Sequence, residues 1–410
     1  MAARSPRALI IGGGIAGPVT AILLKKVGIE ATVFEAWPHS TGIGGGLQIA
    51  PNGMHVLAEA GLADDMIRRG SICEGIEFFS QSGSPLASIN RDMERRFGQP
   101  AVNMRRATLN EAILAKAARE GVEVVFGKRL VRIEDRADRP VAVHFEDGSS
   151  TEGDFVIGAD GVHSATRRHV VPDGPTPFDT GLVSFGGFVP RELLQVSNAG
   201  PSLFMTFGQS GFFGYGYCSP EDNGAMCWST QPAHGIDAAT FRGMDQAALR
   251  RHLRLFHAGW HDPIPQLLDT MGEIVVTSTL DIATLPTWSR GRTLLIGDAA
   301  HATSPHAGQG ASIALEDALR LAITLRQEQD LGIAFQNFES ERRPRVERVV
   351  ALARRNGNQK REFSRTSAWI RDRLLKILIP LGSNDWLFEY NAGRLTSRPE
   401  TSGQHDRQAA

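Results

Sequence analysis

The sequence predicts a mixed α/β fold, in which a parallel strand, helix and strand unit carries an inserted antiparallel sheet and is followed by helices. Three observations support this fold class. An apolar strand pattern at 8–11 leads through the segment GGGIAG into a helical pattern and a second strand, ATVFE at 31–35. Aromatic residues concentrate in the middle of the chain, where short strand patterns follow one another. Helical patterns dominate from residue 311 onward.

The composition excludes several classes of protein. The chain has 410 residues, 41% of them hydrophobic, which suits two or three domains with real cores. Its formal net charge of -1 provides no basic field for phosphates, so we expect no nucleic acid partner. The three cysteines lack metal-ligand spacing, so we expect no metal site and interpret them as buried thiols in a reducing compartment. Without a signal-peptide pattern or an eighteen-residue apolar stretch, the sequence indicates a cytoplasmic protein with no transmembrane segment.

The loop between the first strand and the first helix has the pattern of a dinucleotide-binding site. Its G-x-G-x-x-G spacing allows a tight turn, close approach of a pyrophosphate and close packing of the helix on the strand. The helix start supplies free amides and the positive end of a dipole. Glu35, at the end of the next strand, can accept hydrogen bonds from ribose hydroxyls. The predicted phosphate contacts are Gly12, Gly14, Ile15, Ala16 and Gly17.

Either NAD(P) or FAD could bind such a unit, and the residues that follow favour FAD. A helix is predicted at 107–121 and short strands at 122–126, 129–134 and 141–146, before the apolar run DFVIGADG. Composition then changes, because residues 176–230 hold ten of the 29 aromatic residues. In GFFGYGY, three aromatic residues alternate with glycines, which predicts a strand with one aromatic and one bare face within a β-meander. A dehydrogenase would normally continue with alternating strands and helices instead.

A second glycine-rich segment, GDAAHATSPHAGQG at 297–310, also stands between a buried strand, TLLIG, and a helix. Asp298 at the end of the strand can accept hydrogen bonds from sugar-type hydroxyls. Gly308 and Gly310 remove side chains where the helix begins, so the amides near Ala311 can face a flat acceptor ring such as a flavin. We therefore expect the first loop to bind the pyrophosphate of FAD and the second to bind its redox end.

These motifs resemble the FAD-dependent aromatic hydroxylases, the single-component flavoprotein monooxygenases with a p-hydroxybenzoate hydroxylase-like fold. The resemblance covers most of the chain. It is carried by GGGIAG at 12–17, Glu35, GIGGGLQIAPNG at 42–53, Arg106, GKRL at 127–130, GADGVHSATR at 158–167 and GDAAHATSPHAGQG at 297–310. It implies a Rossmann-like FAD-binding domain with an inserted antiparallel β-sheet substrate domain and C-terminal helices.

The resemblance also implies roles for individual residues. Arg106 lies near the FAD phosphates or ribitol, and the Leu130 backbone near the adenine. Asp160, followed by Gly161, belongs to a motif implicated in FAD and NAD(P)H binding, with Arg167 in support. Asp298 meets the ribityl chain. Pro305, Gly308, Gly310 and Ala311 line the flavin ring, and Gly46 belongs to the cofactor site. Relatives often carry a basic residue after Glu35, whereas this chain has Ala36.

The same resemblance suggests domain boundaries. A discontinuous FAD-binding domain would comprise 1–75, 100–175 and 276–365, and the substrate sheet would comprise 76–99 and 176–275. A C-terminal helical segment would follow at 366–395, and its polar tail, 396–410, is predicted to be disordered. The final helices are expected to pack across the FAD domain. The segment 368–390 mixes Trp, Leu and Ile with Arg and Lys, which leaves a membrane-surface helix as the alternative interpretation.

The implied activity is NAD(P)H- and oxygen-dependent hydroxylation of an aromatic or polycyclic small molecule through a flavin hydroperoxide, by a monomer or homodimer. NADH or NADPH would bind transiently. Two alternatives remain: a flavoenzyme of the same fold performing Baeyer–Villiger insertion, epoxidation or ring reduction, and a non-catalytic protein that binds FAD or a drug. His306, in the second loop, and Tyr217, in the aromatic strand, are the candidate catalytic residues. Each has a structural alternative, a loop hydrogen bond for His306 and core packing for Tyr217, and His301 is interpreted as structural.

Overall fold

The computed structural model describes residues 5–39, 44–89, 91–194, 202–219, 224–381 and 384–395. Its strands are β1 (Arg7–Ile11), β2 (Glu30–Phe34), β3 (Gly46–Ile49), β4 (Ser71–Cys73), β5 (Gly75–Ser80), β6 (Pro85–Ile89), β7 (Ala101–Arg105), β8 (Glu123–Val125), β9 (Leu130–Glu134), β10 (Val141–Phe145), β11 (Ser150–Gly153), β12 (Phe155–Gly158), β13 (Phe178–Pro190), β14 (Ser202–Phe207), β15 (Phe212–Ser219), β16 (Gly224–Pro232), β17 (Val275–Asp281), β18 (Ser289–Arg290) and β19 (Thr293–Leu295).

Its α-helices are α1 (Ala16–Lys26), α2 (Pro51–Glu59), α3 (Ala63–Arg69), α4 (Met93–Phe97), α5 (Arg106–Arg119), α6 (Ala165–Val170), α7 (Ala238–Arg242), α8 (Gln246–Phe256), α9 (Ile264–Thr270), α10 (Asp298–His301), α11 (Gly310–Gln327), α12 (Leu331–Asn358), α13 (Arg365–Leu381) and α14 (Asp385–Phe388). Short 3-10 turns occupy Arg191–Leu194 and Pro305–Ala307. The residues 396–410, predicted to be disordered, lie outside the described residues.

A six-stranded sheet with the order β18-β19-β12-β1-β2-β8 organises the part of the chain that holds the glycine-rich loops. Five of its strands run parallel, and β18 alone pairs antiparallel, with β19. Strand β1 is buried along almost its whole length, because one of its faces packs with α1 and α11 and the other packs against the three-stranded sheet β11-β10-β9. Helices α1 and α11 pack against one another over this sheet. The predicted strand, helix and strand unit at the start of the chain is confirmed.

A seven-stranded sheet with the order β17-β13-β16-β15-β14-β5-β6 contains the aromatic segment. Strands β14, β15 and β16 form the predicted antiparallel meander, and β5 adds to β14 in parallel. The sheet therefore contains strands from both ranges predicted for the substrate sheet, 76–99 and 176–275. Strand β17, in contrast, falls almost wholly in 276–365, which was assigned to the FAD-binding domain. The mixed fold class is confirmed; the division into domains stays a prediction.

The two faces of this sheet pack against different partners, because alternate residues of a strand point to opposite sides. One face, here called the outer face, packs against α7, α8 and α9 and bears Phe204, Phe213, Tyr215 and Cys227. The other, here called the inner face, bears Leu203, Met205, Met226 and Trp228 and packs with residues of the second loop and α11. The inner face is therefore the side of the sheet that meets the loops.

The C-terminal helices do not all pack where they were expected. Helix α12 lies against α11, as the resemblance implied, but α13 packs along β6 at the edge of the seven-stranded sheet. The carbonyl oxygen of Gly208, in the turn between β14 and β15, accepts a hydrogen bond from Arg371 of α13 at 2.8 Å. Much of α13 is left exposed, including Trp369 at 60%. The expectation that this helix packs on the FAD-binding part is therefore wrong.

Candidate active site

Four loops meet at one edge of the six-stranded sheet. Strands β19, β12, β1 and β2 are parallel neighbours, so the segments that follow them emerge at the same carboxyl-terminal edge. These segments are the second loop, the GADG motif, the first loop and Glu35. Ligands of open parallel sheets bind at this kind of edge. The topology therefore brings together motifs that are up to 286 positions apart in the sequence, from Gly12 to Asp298.

Three of the four glycines in the first loop, Gly12, Gly14 and Gly17, have different reasons to lack a side chain. A Cβ on Gly12 would lie 2.2 Å from the Ala159 carbonyl oxygen, and its φ of +113° also disfavours other residues. A Cβ on Gly17 would lie 2.0 Å from the Gly12 carbonyl oxygen. Gly14, in contrast, has nothing within 4 Å on its side-chain side. Gly12 and Gly17 are therefore required by packing, whereas Gly14 leaves open space above the loop.

Glu35 and Asn110 hold the first loop in place. The Glu35 carboxylate accepts hydrogen bonds from the backbone N–H groups of Gly13 at 2.6 Å and of Trp37 at 2.9 Å. The Asn110 side-chain amide donates to the carbonyl oxygens of Gly13 and Gly14, both at 3.1 Å. Sequence reasoning missed Asn110. The signal was available, because Asn110 follows Arg106 by four residues and therefore shares its face of α5.

Helix α1 begins at the loop with its first amides available. Ile15 precedes the helix without a side-chain cap among the described residues, and Ala16 begins it with no acidic residue in the first turn. Uncapped amides at a helix start favour an anion. Near the other end of the loop, the Lys128 amide donates to the Glu35 carbonyl oxygen at 2.7 Å, which places the GKRL segment beside Glu35. The Leu130 side chain is buried in the core, so only its backbone is available to a ligand.

Gly46 begins β3 and lies where the three-stranded sheet β3-β7-β4 meets the seven-stranded sheet. A Cβ at this position would lie 2.3 Å from the Met226 sulfur of the inner face. Further along the same segment, the Asn52 side-chain amide donates to Gln309 Oε1 at 3.0 Å, and the Ser312 hydroxyl oxygen accepts a hydrogen bond from the Ala50 backbone N–H at 3.2 Å. Gly46 therefore serves close approach of the two sheets, and a direct cofactor contact at this position stays a prediction.

Arg167 joins the GADG motif to the second loop. Its guanidinium is buried and donates to the carbonyl oxygens of Ala299 at 3.0 Å and of Val162. Asp160 is also fixed, because its carboxylate accepts hydrogen bonds from the Ser164 hydroxyl at 2.5 Å and the Thr166 amide at 3.0 Å. The helix that carries Arg167 is thereby attached to both motifs.

The second loop faces the first. A Cβ on Gly297 would lie 3.7 Å from the Cβ of Ala16, at the start of α1. Gly308, with φ +62°, and Gly310 have nothing within 4 Å on their side-chain sides. Asp298 follows Gly297, and its side chain remains reachable by solvent. Surrounding protein atoms replace much of its bulk water and raise the pKa of its carboxyl group, although nearby positive charges, including Arg106, oppose this rise. The exposed carboxylate of Asp298 is therefore available to a ligand at this edge of the sheet.

A buried ionic network supports the second loop from below. Asp317 of α11 accepts hydrogen bonds from the Gly297 amide at 2.9 Å and from Arg342 Nε at 2.8 Å, and it contacts His301 Nε2 at 2.6 Å. Arg342 also pairs with Glu316 at 2.8 Å. All five residues are buried, and the positive charges of His301 and Arg342 outweigh the effect of burial, so the pKa of Asp317 is lowered. The structural interpretation of His301 agrees with this placement.

His306 points into the protein rather than along the loop. Its Nδ1 lies 3.1 Å from Lys360 Nζ, and a Cβ on Gly357 of α12 would lie 2.6 Å from its ring. Burial, with a contribution from the Lys360 charge, lowers the pKa of His306 to about 2, so its imidazole is neutral. Its Nε2 is buried and has no hydrogen-bond partner in the described part of the chain. A neutral ring of this kind is poorly suited to act as a base.

Tyr217 is not brought to the second loop. It belongs to the outer face of the seven-stranded sheet, where its hydroxyl donates to the Leu194 carbonyl oxygen at 3.2 Å and the Arg191 guanidinium lies over its ring. Tyr215 is buried on the same face and stacks on Phe204. The alternation of aromatic and glycine residues in β15 was interpreted correctly, but the aromatic face is the one turned away from the loops. This placement argues against the predicted catalytic role of Tyr217.

The residues at this edge fit a dinucleotide that extends from the first loop to the second. Gly14 leaves room above an uncapped helix start, where a pyrophosphate would lie. Gly308 and Gly310 leave room beside the second helix start, and Asp298 offers a reachable carboxylate between the two. Within the described residues, no group of three or more His, Cys, Asp and Glu side chains is placed to hold a metal ion.

Comparison with known proteins gives the same result. A family model described as an FAD binding domain matches residues 6–353. The chain is 33% identical to 3-amino-4-hydroxybenzoate 2-monooxygenase PtmB3 of Streptomyces platensis over 96% of this chain and 98% of the relative. It is 30% identical to FAD-dependent urate hydroxylase of Klebsiella pneumoniae, over 89% and 94%. The crystal structure of Klebsiella pneumoniae HpxO complexed with FAD and uric acid has a TM-score of 0.84 at 28% identity, covering 95% of this chain and 98% of that one.

The chain is a flavoprotein monooxygenase by its fold and its site. It belongs to the family of FAD-dependent aromatic hydroxylases. FAD is its cofactor, and NAD(P)H is the co-substrate typical of this family. The predicted family, fold class, enzyme class and cofactor are confirmed.

Proposed function

We propose that this enzyme hydroxylates a planar aromatic small molecule held between the second loop and the inner face of the seven-stranded sheet. One observation carries the proposal. Trp228, Met205 and Phe188 are only half-buried, and they pack in the same apolar cluster as Ala307 of the second loop. They therefore present apolar surface next to Gly308 and Gly310, where the flavin ring is expected to bind. Such a wall suits an aromatic ring and helps to exclude water.

The roles of the chain's own residues follow from their positions. The amides of the first loop and α1 would bind the pyrophosphate, with Glu35 and Asn110 keeping the loop in shape. Asp298 would accept hydrogen bonds from the ribityl hydroxyls. Bound FAD supplies the redox chemistry, taking electrons from NAD(P)H and passing them to oxygen. The residues around it place the substrate and keep water away from the reacting atoms.

His306 would serve this site by positioning Lys360 rather than as a base, because its Nδ1 faces the Lys360 ammonium and its Nε2 is buried against α12. When the Lys360 ammonium donates to Nδ1, the neutral ring carries its proton on Nε2. That nitrogen is the one without a protein partner in the described residues. A base is required only where a substrate hydroxyl must be ionised before attack. No residue of the described part is assigned that step.

The proposal is tested by measuring where oxygen from the gas phase is incorporated into the product. Purified enzyme loaded with FAD is supplied with NADH or NADPH and 3-amino-4-hydroxybenzoate, urate or 6-hydroxynicotinate under labelled oxygen gas. A product heavier by one labelled oxygen on the ring, with one NAD(P)H consumed for each turnover, supports hydroxylation. A labelled oxygen inserted into a ring bond indicates Baeyer–Villiger chemistry, and product formation without oxygen indicates ring reduction. Tight FAD binding without any NAD(P)H oxidation would instead support the binding-protein alternative.

The exposed side of α13 supports a further part of this proposal, contact with an anionic lipid surface. Trp369, Ile370, Leu374, Ile377 and Leu378 are each between 46% and 60% exposed. The exposed Arg365, Arg373 and Lys376 on the same helix give it an excess of positive charge. Apolar and basic residues combined on one exposed helix are typical of interfacial binding. No helix within the described residues is long and apolar enough to cross a membrane.

Co-sedimentation of the FAD-loaded enzyme with vesicles containing phosphatidylserine tests the lipid contact. We expect binding that decreases in high salt and is lost when Trp369 and Ile377 are replaced by Ser. If the same small fraction of the enzyme co-sediments with neutral and with anionic vesicles, the proposal is contradicted. Loss of a dimer in the double variant, measured by light scattering, would show that a second copy covers this face instead. The three free, buried cysteines, Cys73, Cys218 and Cys227, support a cytoplasmic, reducing location as part of the proposal.

A further inference from the structure

Lys360 occupies an unusual position at the junction of three elements. It follows the end of α12, and only 8% of its surface is exposed. Its Nζ lies 3.1 Å from His306 Nδ1 in the second loop and 4.1 Å from the ring centroid of Phe212 in β15. Phe212 in turn packs against Trp228 of the inner face. The ammonium group therefore lies between the loop expected to meet the flavin ring and the wall expected to meet the substrate.

The charge of Lys360 has no acidic partner in the described residues. Its one side-chain hydrogen bond there goes to His306, which is neutral. The charges of α13 near this end of α12 are already engaged, because Arg371 donates to the carbonyl oxygen of Gln359, the residue before Lys360, and forms an ion pair with Asp372. Burial lowers the pKa of Lys360 to about 7. A buried cation without a counter-charge is costly for the fold, and binding an anion offsets that cost.

We propose that Lys360 is a specificity-determining residue that binds an anionic group of the aromatic substrate, a carboxylate or an ionised hydroxyl. This inference rests on the proposed function, because it places the substrate ring against Trp228 and Met205 on the inner face. The anionic group then lies at the rim of that wall, beside Phe212. His306 is the positioning residue, since its Nδ1 accepts a hydrogen bond from the ammonium and fixes where the charge is presented.

The experiment compares acids with their matched amides on the FAD-loaded, full-length enzyme. The probes are 3-amino-4-hydroxybenzoate with 3-amino-4-hydroxybenzamide, and 6-hydroxynicotinate with 6-hydroxynicotinamide. Dissociation constants are read from the change in flavin absorbance at pH 6, below the pKa of Lys360. In the wild type we expect at least one acid to bind at least tenfold more tightly than its amide. In Lys360→Met this preference should disappear through weaker binding of the acid, and Lys360→Arg should keep part of it.

Two controls separate recognition from folding. Lys116→Met removes a lysine that pairs with Glu120 on the surface of α5, and it should leave both dissociation constants unchanged. The FAD content and melting temperature of Lys360→Met should equal or exceed those of the wild type, because the variant removes a buried charge. A structural lysine would give the same ratio of acid to amide binding in the wild type and in Lys360→Met.

The inference is overturned if no acid binds more tightly than its amide to the wild type, or if Lys360→Met keeps the preference. Failure of the proposed function has a different signature. A wild type that takes up FAD, is reduced by NAD(P)H and incorporates labelled oxygen, yet shows no preference for acids, refutes only the role of Lys360. A wild type that takes up FAD but is never reduced by NAD(P)H refutes the proposed function itself.

Discussion

The buried guanidinium of Arg167 donates a hydrogen bond of 3.0 Å to the carbonyl oxygen of Ala299, 132 positions later in the chain. This contact connects the helix that follows the GADG motif to the first turn of the second loop. Because Asp160 is attached to the same helix through Ser164 and Thr166, the two motifs move as one unit. Arg167 therefore orients residues expected to bind opposite parts of the cofactor.

Replacing Arg167 by Met should weaken FAD binding by at least tenfold and lower stability by roughly 2–4 kcal/mol, because buried carbonyl oxygens lose their donor. Fluorescence titration of the apoprotein with FAD and urea denaturation measure the two effects. Arg168, its exposed neighbour, provides the matched control, and Arg168→Met should change neither quantity appreciably. Normal FAD affinity in Arg167→Met would show that the second loop is positioned without this contact.

Gly12 and Gly14 should respond to the same substitution in opposite ways. In Gly12→Ala the new methyl group meets the Ala159 carbonyl oxygen at 2.2 Å with φ at +113°, so we expect a loss of about 3 kcal/mol or more in stability. In Gly14→Ala the methyl group enters open space, so the apoprotein should keep its stability within about 0.5 kcal/mol. FAD affinity in Gly14→Ala should nevertheless fall at least tenfold, because the methyl group stands where the pyrophosphate approaches.

Thermal unfolding of the two apoproteins and FAD titration of Gly14→Ala check this pair. Gly127 serves as a comparison, because its side-chain side is open while its φ of +73° disfavours any residue with a Cβ. Alanine at this position therefore shows the effect of backbone strain without a steric clash. Gly127→Ala should lose about 1 kcal/mol and retain FAD affinity. If Gly14→Ala binds FAD as the wild type does, the pyrophosphate does not pass over that residue.

Much of the cofactor site could be predicted from sequence because its parts are local. A glycine pattern between a strand and a helix specifies its own turn, and parallel strands bring such turns to one edge whatever their distance in the chain. Glu35 is found for the same reason, since it ends the strand next to β1. The prediction that Gly12, Gly14 and Gly17 lie at the same edge of the sheet as Asp298 therefore required no knowledge of side-chain packing.

The residues that sequence reasoning placed wrongly or missed depend on long-range packing. The alternation in β15 predicts two faces, but nothing local tells which face meets the second loop, so the sequence could not show that Tyr217 lies on the outer face. His306 lies in the right loop, yet its ring direction is set by Gly357 and Lys360, some fifty positions later. Lys360 itself belongs to no motif. Its environment exists only once α12, the second loop and β15 have come together.

The pair of Asp317 and Arg342 should be among the most sensitive sites in the protein. Both side chains are fully buried, and their hydrogen bond measures 2.8 Å. Removing one partner leaves the other charge buried, so Asp317→Asn and Arg342→Met should each cost about 3–5 kcal/mol. The double variant should cost at least about 1 kcal/mol less than the sum of the two single changes, since the residues share one network.

Urea denaturation of the four proteins gives this double-mutant cycle. Arg68 forms a surface pair with Asp65 at 2.8 Å and is the control, because Arg68→Met should cost no more than about 1 kcal/mol. The pKa of Asp317 is lowered in the folded protein, so its contribution is present above the unfolded value near 4 and is lost as pH falls below it. Additive costs in the double variant would show that Asp317 and Arg342 act independently.

His306 should make the folded protein sensitive to mild acid. Its folded pKa of about 2 lies below the value of about 6.5 in an unfolded chain, so protons bind the unfolded state first as pH falls. Stability is therefore complete above pH 6.5 and falls by about 2 kcal/mol between pH 6.5 and pH 5 from this residue alone. His257, whose pKa burial lowers to about 3, adds a similar loss.

Urea denaturation at half-unit steps of pH isolates the contribution of His306. The difference in stability between the wild type and His306→Gln should shrink toward acid pH, because the variant has no proton to gain there. His163, which is exposed, is the control, and His163→Gln should leave the stability at pH 7 unchanged within about 0.5 kcal/mol. A difference that stays constant from pH 7 to pH 5 would mean that the His306 ring takes up its proton in the folded state, and hence that it faces solvent rather than Lys360.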